Sequence, residues 1–344
     1  TVLLFIVLEV DRFFTRFLNQ KQLSPTMRER KPIEELSLFF PAYNEEENIA
    51  TCIENAKKAA EKYVEKWEIL VVVYEGSIDR TKEIVRQYEK KDKRIKLIIQ
   101  PNQRKGVGTA YKIGFETAKY KNVFYCDADN QFNPEEIKRF LPYIDDYDII
   151  TGYRIARQDA KGRIWASGIY NMLMRVLFPI KEKDIDCAFR LVKKKIFDKI
   201  KITATTGVMT GEMLARARIA GYKITQVGVT HYPRIAGEAR FEMPAGLNVP
   251  KPKVVLETIK EIFALRKELK QEMKEYKKRQ RETKKQTSEG FWKKTKDTAA
   301  LLWNVVLWRQ CPLCKSAVRE KDYPEDLAQY GMCTNHACSW GKTK

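Results

Sequence analysis

The sequence predicts an α/β domain built on a mostly parallel sheet with helices on both faces. Three observations carry that expectation. Between residues 35 and 126, short apolar runs alternate with amphipathic stretches at a regular pitch, the pattern of strand–helix–strand units. Each of the first four strand-like runs is followed at once by a polar cluster, and ligands of such sheets bind at the carboxyl ends of the strands. The 344 residues are 44% hydrophobic and 32% charged. That supplies a core but excludes a bundle of membrane-spanning helices, because no window reaches 18 uncharged apolar residues. An aromatic share of 11% also argues against wholesale disorder.

The elements follow in order. Leu36–Phe40 reads as a buried strand, Glu45–Val64 as a helix, Glu68–Val73 as a strand and Asp79–Lys90 as a helix. Ile95–Gln100, Val107–Ala118 and Asn122–Cys126 continue the alternation as strand, helix and strand. Beyond Tyr147 the pattern is more mixed. A strand over Asp148–Arg154 leads to a helix over Ile164–Leu177. A strand-like run over Cys187–Val192, a helix over Gly211–Ala220 and a strand over Lys223–Val229 follow. Pro244, Pro250 and Pro252 mark a boundary. After it, Val255, Ile259, Ile262, Leu265, Leu269, Met273 and Tyr276 recur at helical spacing in a basic context.

The four polar clusters are Pro41–Glu46, Tyr74–Thr81, Asn102–Gly108 and Asp127–Gln131. The parallel topology gathers all four at one sheet edge. In the last of them Asp127 and Asp129 alternate on an extended segment, so both face the same way. An acidic pair in a turn is usually only solvated. Here it sits between an apolar strand and the helix start at Pro134, where hard oxygen ligands suit Mg²⁺ or Mn²⁺ shared with phosphates.

Taken together, Pro41-Ala-Tyr-Asn-Glu45, Gly76-Ser-x-Asp79-x-Thr81, Lys105-Gly106 and Asp127-Ala-Asp-x-Gln131 resemble family 2 glycosyltransferases of the GT-A fold. Gly152-Tyr-Arg154, Asp184-x-Asp-Cys-Ala-Phe189 and Val229-Thr-His-Tyr-Pro-Arg234-x-x-Gly237 narrow the resemblance to the dolichol- or polyprenol-phosphate mannosyltransferase group. It covers roughly residues 35–245. The resemblance implies a GT-A (Rossmann-like) sheet and transfer of a hexose, mannose or glucose, from a nucleotide-diphosphate sugar to a polyprenyl or dolichyl phosphate.

It also implies roles. Pro41, Tyr43 and Glu45 would line the base and ribose, with Glu75 as the acidic nucleoside contact and Lys105 on the phosphate side. Asp127, Asp129 and Gln131 would hold the catalytic Mg²⁺ or Mn²⁺. Arg154, Arg163 and Arg234 would grip the acceptor phosphate and the leaving diphosphate, and Arg240 would add an acceptor contact. Such enzymes carry Asp-Asp or Asn-Asp where this chain has Tyr74-Glu75, a departure that bears on the donor base.

The chemistry is consistent with these roles. Glycosyl transfer from a nucleoside diphosphate builds negative charge on the leaving group, which a dication and arginine forks stabilise. An ionised phosphate acceptor needs no strong base, and the chain has only His231 and His336. Glu212 is a carboxylate candidate near the acceptor, or simply a charge at a helix N-terminus. No nucleophile pair is evident, so inversion at the anomeric carbon is expected.

Outside the domain, residues 1–34 begin with an apolar stretch too short to span a bilayer. Phe13, Phe14, Phe17 and Leu18 continue an apolar face suited to a membrane surface. No basic leader or cleavage site marks a signal peptide. The net charge is +20, and residues 251–310 hold 17 Lys and Arg against 8 Asp and Glu. Residues 246–310 therefore read as a basic amphipathic arm, and the run Leu301–Trp308 adds interfacial tryptophans. The expectation is peripheral association with the cytoplasmic face of an anionic membrane. The alternative is that these helices pack on the catalytic domain or pair in a homo-oligomer.

Cys52, Cys126 and Cys187 are isolated in apolar surroundings and read as buried thiols. Cys311, Cys314, Cys333 and Cys338 form C-x2-C and C-x4-C knuckles 18 residues apart in residues 311–344. That pattern resembles a structural zinc ribbon with four thiolates around Zn²⁺.

Two other readings compete with this one. A zinc-ribbon nucleic-acid-binding protein would explain charge and cysteines but not the sheet-edge clusters. A glycosyltransferase acting on a glycan or lipid hydroxyl would differ only in its acceptor.

Overall fold

The computed structural model describes residues 32–155, 157, 159, 161–234, 251–283 and 287. The chain divides into units covering residues 1–273 and 274–344. In the second, residues 274–283 and 287 are helical. The first holds one seven-stranded sheet, in the order β3-β2-β1-β4-β6-β5-β7. The strands are β1 (Ile33–Ala42), β2 (Val64–Tyr74), β3 (Ile95–Gln100), β4 (Asn122–Tyr125), β5 (Ile149–Ile155), β6 (Arg190–Lys193) and β7 (Ile224–Thr230). The helices are α1 (Ile49–Tyr63), α2 (Thr81–Lys91), α3 (Val107–Thr117), α4 (Lys161–Leu177), α5 (Val208–Ile219) and α6 (Pro252–Glu268). This is the mostly parallel, helix-flanked GT-A-like sheet that the sequence predicts.

β1, β2, β3 and β4 pair in parallel. The central strands are buried on both faces, as continuous apolar runs such as Ile69–Val73 of β2 require, while the edge strand β3 is only partly covered. Against one face lies α1, through Ile49, Cys52, Ile53, Ala56 and Ala60, with Val85 of α2. On the other, Phe39 packs against Phe115 of α3 (centroids 5.1 Å apart) and Tyr125 (5.4 Å). Gly114 is needed there, because a Cβ would lie 2.5 Å from the Phe39 ring.

β6 runs antiparallel to both β4 and β5. A parallel strand delivers the residues after it to the active edge, whereas an antiparallel strand delivers those before it. The segment 182–189 therefore arrives beside Asp127. The strand-like run at 187–192 shifts to Arg190–Lys193, leaving Cys187, Ala188 and Phe189 buried in the approach. The first helix begins at Ile49 rather than Glu45. Asn44 takes a left-handed φ of 53°, and Asn48 and Ile49 both donate to the Glu45 carbonyl. That turn keeps the Glu45 side chain at the sheet edge.

Within the basic segment, residues 252–268 form α6, whose inner face is packed. Ile262 and Leu265 are buried, and Glu268 pairs with Arg216 of α5 at 2.6 Å. Cys52, Cys126 and Cys187 are buried free thiols. Among the described residues no helix is long and apolar enough to cross a membrane. Residues 1–31 and 288–344, with the Trp-rich run and the four cysteines expected to bind zinc (Cys311, Cys314, Cys333 and Cys338), lie outside the described residues.

Candidate active site

The strand order reverses direction between β1 and β4, the crevice where open α/β sheets bind ligands. Asp127, Asp129, Glu45 and Arg234 meet there. Asn130, at φ 58°, turns the chain after β4 and donates its side-chain amide to the Asn48 carbonyl at 3.1 Å. Asp129 is buried, accepting from Gln131 N at 3.1 Å and from Arg234 Nη2 at 2.6 Å. Arg234 Nη1 is 4.0 Å from Glu45 Oε1. Asp127 accepts the Tyr111 hydroxyl at 2.9 Å.

The cluster carries more negative charge than its surroundings neutralise. Burial, with Asp129 adding repulsion, raises Asp127 to about 6. Burial raises Glu45 to about 7, opposed by the Asn48 hydrogen bond and reinforced by Asp129. Both shifts favour a bound cation, which would remove the repulsion. Among the described residues no three His, Cys, Asp or Glu side chains form a metal cage. Two adjacent carboxylates still fit an ion whose other ligands are substrate phosphate oxygens.

The second polar cluster is scaffolding. Ser77 Oγ accepts from Asn44 N, Thr81 Oγ1 from Glu45 N at 2.8 Å, and Asp79 from Glu46 N at 2.9 Å. The Gly-Ser-x-Asp-x-Thr motif therefore positions the backbone that carries Glu45. Tyr43 and Tyr74 rings lie 5.7 Å apart beside it, inclined at 47°, so the aromatic at position 74 adds a second ring to that edge. Glu75 is exposed and accepts from Asn102 N at 2.9 Å. Pro41 is half-buried at the end of β1, and Lys105 is exposed before α3.

Four expected roles change on the structure. Arg154 is almost wholly buried and bound to Asp184 at 2.6 Å and Asp186 at 2.8 Å. Its guanidinium is committed to those carboxylates and does not stand free to grip a phosphate. Burial opposes ionisation of Asp184, but the Arg154 hydrogen bonds prevail and hold it at about 2. Arg163 is one-third exposed and 3.4 Å from Asp159, so it stays at the rim. Gln131 directs its amide nitrogen to the Tyr232 carbonyl at 3.4 Å, tying the Asp129 turn to the segment after β7 that carries Arg234. Glu212 is fully buried and accepts from Thr203 N, Ala204 N and Arg216 Nε. Every lone pair it could offer is directed into the protein, which removes it as a base. Arg240 lies outside the described residues.

Several contributors have no sequence signal. Tyr111 reads as an ordinary apolar position of α3. Asp159 gathers Arg154, Arg157 and Arg163 at 3.7, 2.8 and 3.4 Å. Arg157 donates to Ser167 of α4 at 2.9 Å, while its Nη2 is buried with no partner among the described residues. Glu261 of α6 accepts from Thr205 N (3.0 Å), Thr205 Oγ1 (2.7 Å), Thr206 N (3.2 Å) and Thr206 Oγ1. The Thr205 carbonyl in turn receives Gly108 N at 2.9 Å. Gly106 sits at φ 112° with no room for a Cβ, which would be 2.5 Å from that carbonyl. A chain of contacts thus runs from α6 through the Lys105–Gly108 loop and Tyr111 to Asp127.

The profile of glycosyl transferase family 2 matches residues 37–201. The undecaprenyl-phosphate 4-deoxy-4-formamido-L-arabinose transferase of Pectobacterium atrosepticum is 33% identical over 165 residues, 48% of this chain and 50% of that protein. The dodecaprenyl-phosphate galacturonate synthase of Rhizobium johnstonii is 25% identical over 261 residues, 72% of each chain. The chain spans about half the length of the first of these relatives. A glucosyl-3-phosphoglycerate synthase from Mycobacterium tuberculosis, solved with Mn²⁺ and uridine diphosphate, overlays with a TM-score of 0.48 at 16% identity, over 58% of this chain and 72% of that one. Residues 37–201, which contain Glu45, Asp127 and Asp129, are a glycosyl transferase family 2 domain.

Proposed function

We propose that the chain transfers a sugar from a nucleoside diphosphate to a polyprenyl phosphate at a membrane surface, with inversion at the anomeric carbon. The observation that carries this reading is the Asp127–Asp129–Glu45–Arg234 cluster at the β1/β4 crevice. The activities of the two relatives, both on polyprenyl phosphates, support the acceptor class. Asp127 and Asp129 would hold Mg²⁺ or Mn²⁺, which supplies charge neutralisation on the donor diphosphate. Tyr43, Tyr74 and Glu75 flank the nucleoside. Arg234, shared between Asp129 and Glu45, stabilises charge on the leaving group.

The acceptor phosphate lies against Arg157 and Arg163, with Arg157 Nη2, which has no partner among the described residues, directed to that phosphate when the acceptor binds. An acceptor oxygen attacks the anomeric carbon as the bond to the diphosphate breaks, and the leaving group takes the electron pair. His231 is buried, and burial keeps its pKa below the usual value, so it is a neutral packing group. The donor sugar is proposed as a hexose, mannose or glucose. The test is a panel of labelled GDP- and UDP-sugars, including the arabinose and galacturonate types named by the relatives. The expected result is label in organic-extractable lipid, abolished by EDTA. A product retaining the donor's anomeric configuration would contradict the displacement.

Glu261 holds the donor-side loop through Thr205 and Thr206 without touching substrate, so it is a positioning residue. Glu261→Ala is expected to raise the KM for the nucleotide sugar about tenfold, with the acceptor KM unchanged. Equal effects on both substrates would reduce Glu261 to a general stabiliser. For the tail, we propose one structural zinc on Cys311, Cys314, Cys333 and Cys338. Elemental analysis of protein purified under reducing conditions should find one zinc per chain, lost in Cys311→Ser.

A further inference from the structure

The carboxylate pair of the candidate site is engaged by the protein's own donors. Asp129 Oδ1 accepts Gln131 N at 3.1 Å, and its Oδ2 accepts Arg234 Nη2 at 2.6 Å. Asp127 Oδ1 accepts the Tyr111 hydroxyl at 2.9 Å. Asp129 Oδ1 is held in its own turn, while Oδ2 faces Arg234 and, beyond it, Glu45. A small divalent cation needs a bare carboxylate oxygen at about 2 Å, and the guanidinium covers that one. The two positive charges would also repel each other. Arg234 and a metal ion therefore compete for Asp129.

Arg234 is held at one end of its fork and open at the other. Its side chain is 22% exposed, against 6% for Asp129. Nη1 stands 4.0 Å from Glu45 Oε1, too far for a hydrogen bond. The backbone two residues earlier is fastened. Tyr232 N donates to the Gln131 carbonyl at 2.9 Å, and Gln131 Nε2 donates to the Tyr232 carbonyl at 3.4 Å. The guanidinium is thus tethered beside the Asp129 turn without a bidentate partner. A diphosphate is the better partner, because its oxygens accept both nitrogens in parallel.

We propose that Arg234 is a placeholder cation: it closes Asp129 to free metal and releases that carboxylate only when a nucleoside diphosphate takes its guanidinium. Metal and donor then enter as one unit. This rests on the reading that Asp127 and Asp129 hold a cation on the donor diphosphate. In the exchange the guanidinium passes from carboxylate to phosphate, and the dication takes its place on Asp129. No buried charge is left alone at either stage. The outcome is positive coupling between the two ligands, reciprocal by linkage.

The test uses the full chain and Arg234→Gln. Mn²⁺ binding alone is read from the electron paramagnetic resonance signal of the free ion. GDP and UDP binding are read by calorimetry, with saturating Mn²⁺ and with none. In the parent, Mn²⁺ is expected to tighten one of the two nucleotides by at least about tenfold. In Arg234→Gln, Mn²⁺ alone is expected to bind about tenfold tighter, while that nucleotide with Mn²⁺ binds about tenfold weaker. A merely structural residue would weaken both. The Mn²⁺ gain should persist in about 0.5 M KCl, where charges more than about 4 Å apart are screened. Arg234→Ala should agree in sign.

Mn²⁺ affinity unchanged or lower in either variant overturns the proposal. So does a gain that vanishes in salt, because a general positive field then accounts for it. A parent in which Mn²⁺ leaves nucleotide affinity unchanged overturns it too. The same holds if Mn²⁺ tightens the nucleotide in Arg234→Gln as much as in the parent, because the guanidinium then does not pass to the diphosphate. If the parent binds neither nucleotide with Mn²⁺, the donor reading fails. The closure of Asp129 to metal then stands on the Mn²⁺ gain and falls without it.

Discussion

Asp129→Ala is expected to lower sugar transfer by at least about 10³-fold, the loss that follows removal of a principal charge-stabilising group from a water-poor site. Asp129 stands at the centre of the cluster, holding Arg234 at 2.6 Å and its own turn through Gln131 N. Removing it withdraws one of the two carboxylates available to the cation and frees Arg234 to swing to Glu45. The fold should survive. The variant also removes a negative charge that raises both Asp127 and Glu45, and relief of that repulsion offsets the lost ion pair. Transfer of labelled sugar to lipid, measured beside a thermal melt, checks both halves. An active variant would remove the cation from the mechanism.

Arg190→Ala is expected to cost about 3–5 kcal/mol of stability, enough to leave much of the chain unfolded at ordinary temperatures. Arg190 is fully buried at the start of β6. Its guanidinium donates to Thr151 Oγ1 and Tyr125 Oη, each at 2.9 Å, and to the Ile185 carbonyl at 3.1 Å. Truncation leaves those acceptors dry and unpaired and opens a cavity between β4, β5 and α5. Chemical denaturation should show the midpoint falling while the slope stays constant. A loss below about 1 kcal/mol would mean that water replaces the guanidinium at little cost.

Local rules made much of the molecule legible. β3 lies at Ile95–Gln100, where the sequence places it, because its apolar run is bounded by charged and turn residues. Asp127 and Asp129 could be singled out because a strand end, a two-residue spacing and a helix start coincide. The motif at 76–81 was visible as a pattern, but its duty was not. Ser77, Asp79 and Thr81 turn out to hold the backbone of Asn44, Glu45 and Glu46, a partnership some 33–36 residues apart in the chain. Arginine roles read least well. Arg154 and Arg163 look alike in sequence, yet Asp184 and Asp186 claim the first and leave the second at the rim.

The amino-acid order alone therefore determined the alternation of elements, the apolar core and the edge at which polar loops gather. Each of these depends on residues close in sequence, where periodicity and turn chemistry act directly. Only the tertiary structure decided that β6 enters antiparallel, that Glu212 is sealed inside, and that Tyr111, Asp159 and Glu261 support the site. Those outcomes depend on which distant carboxylates and guanidinium groups are buried together. Their charges and hydrogen bonds are settled by spatial neighbours that no local spacing encodes.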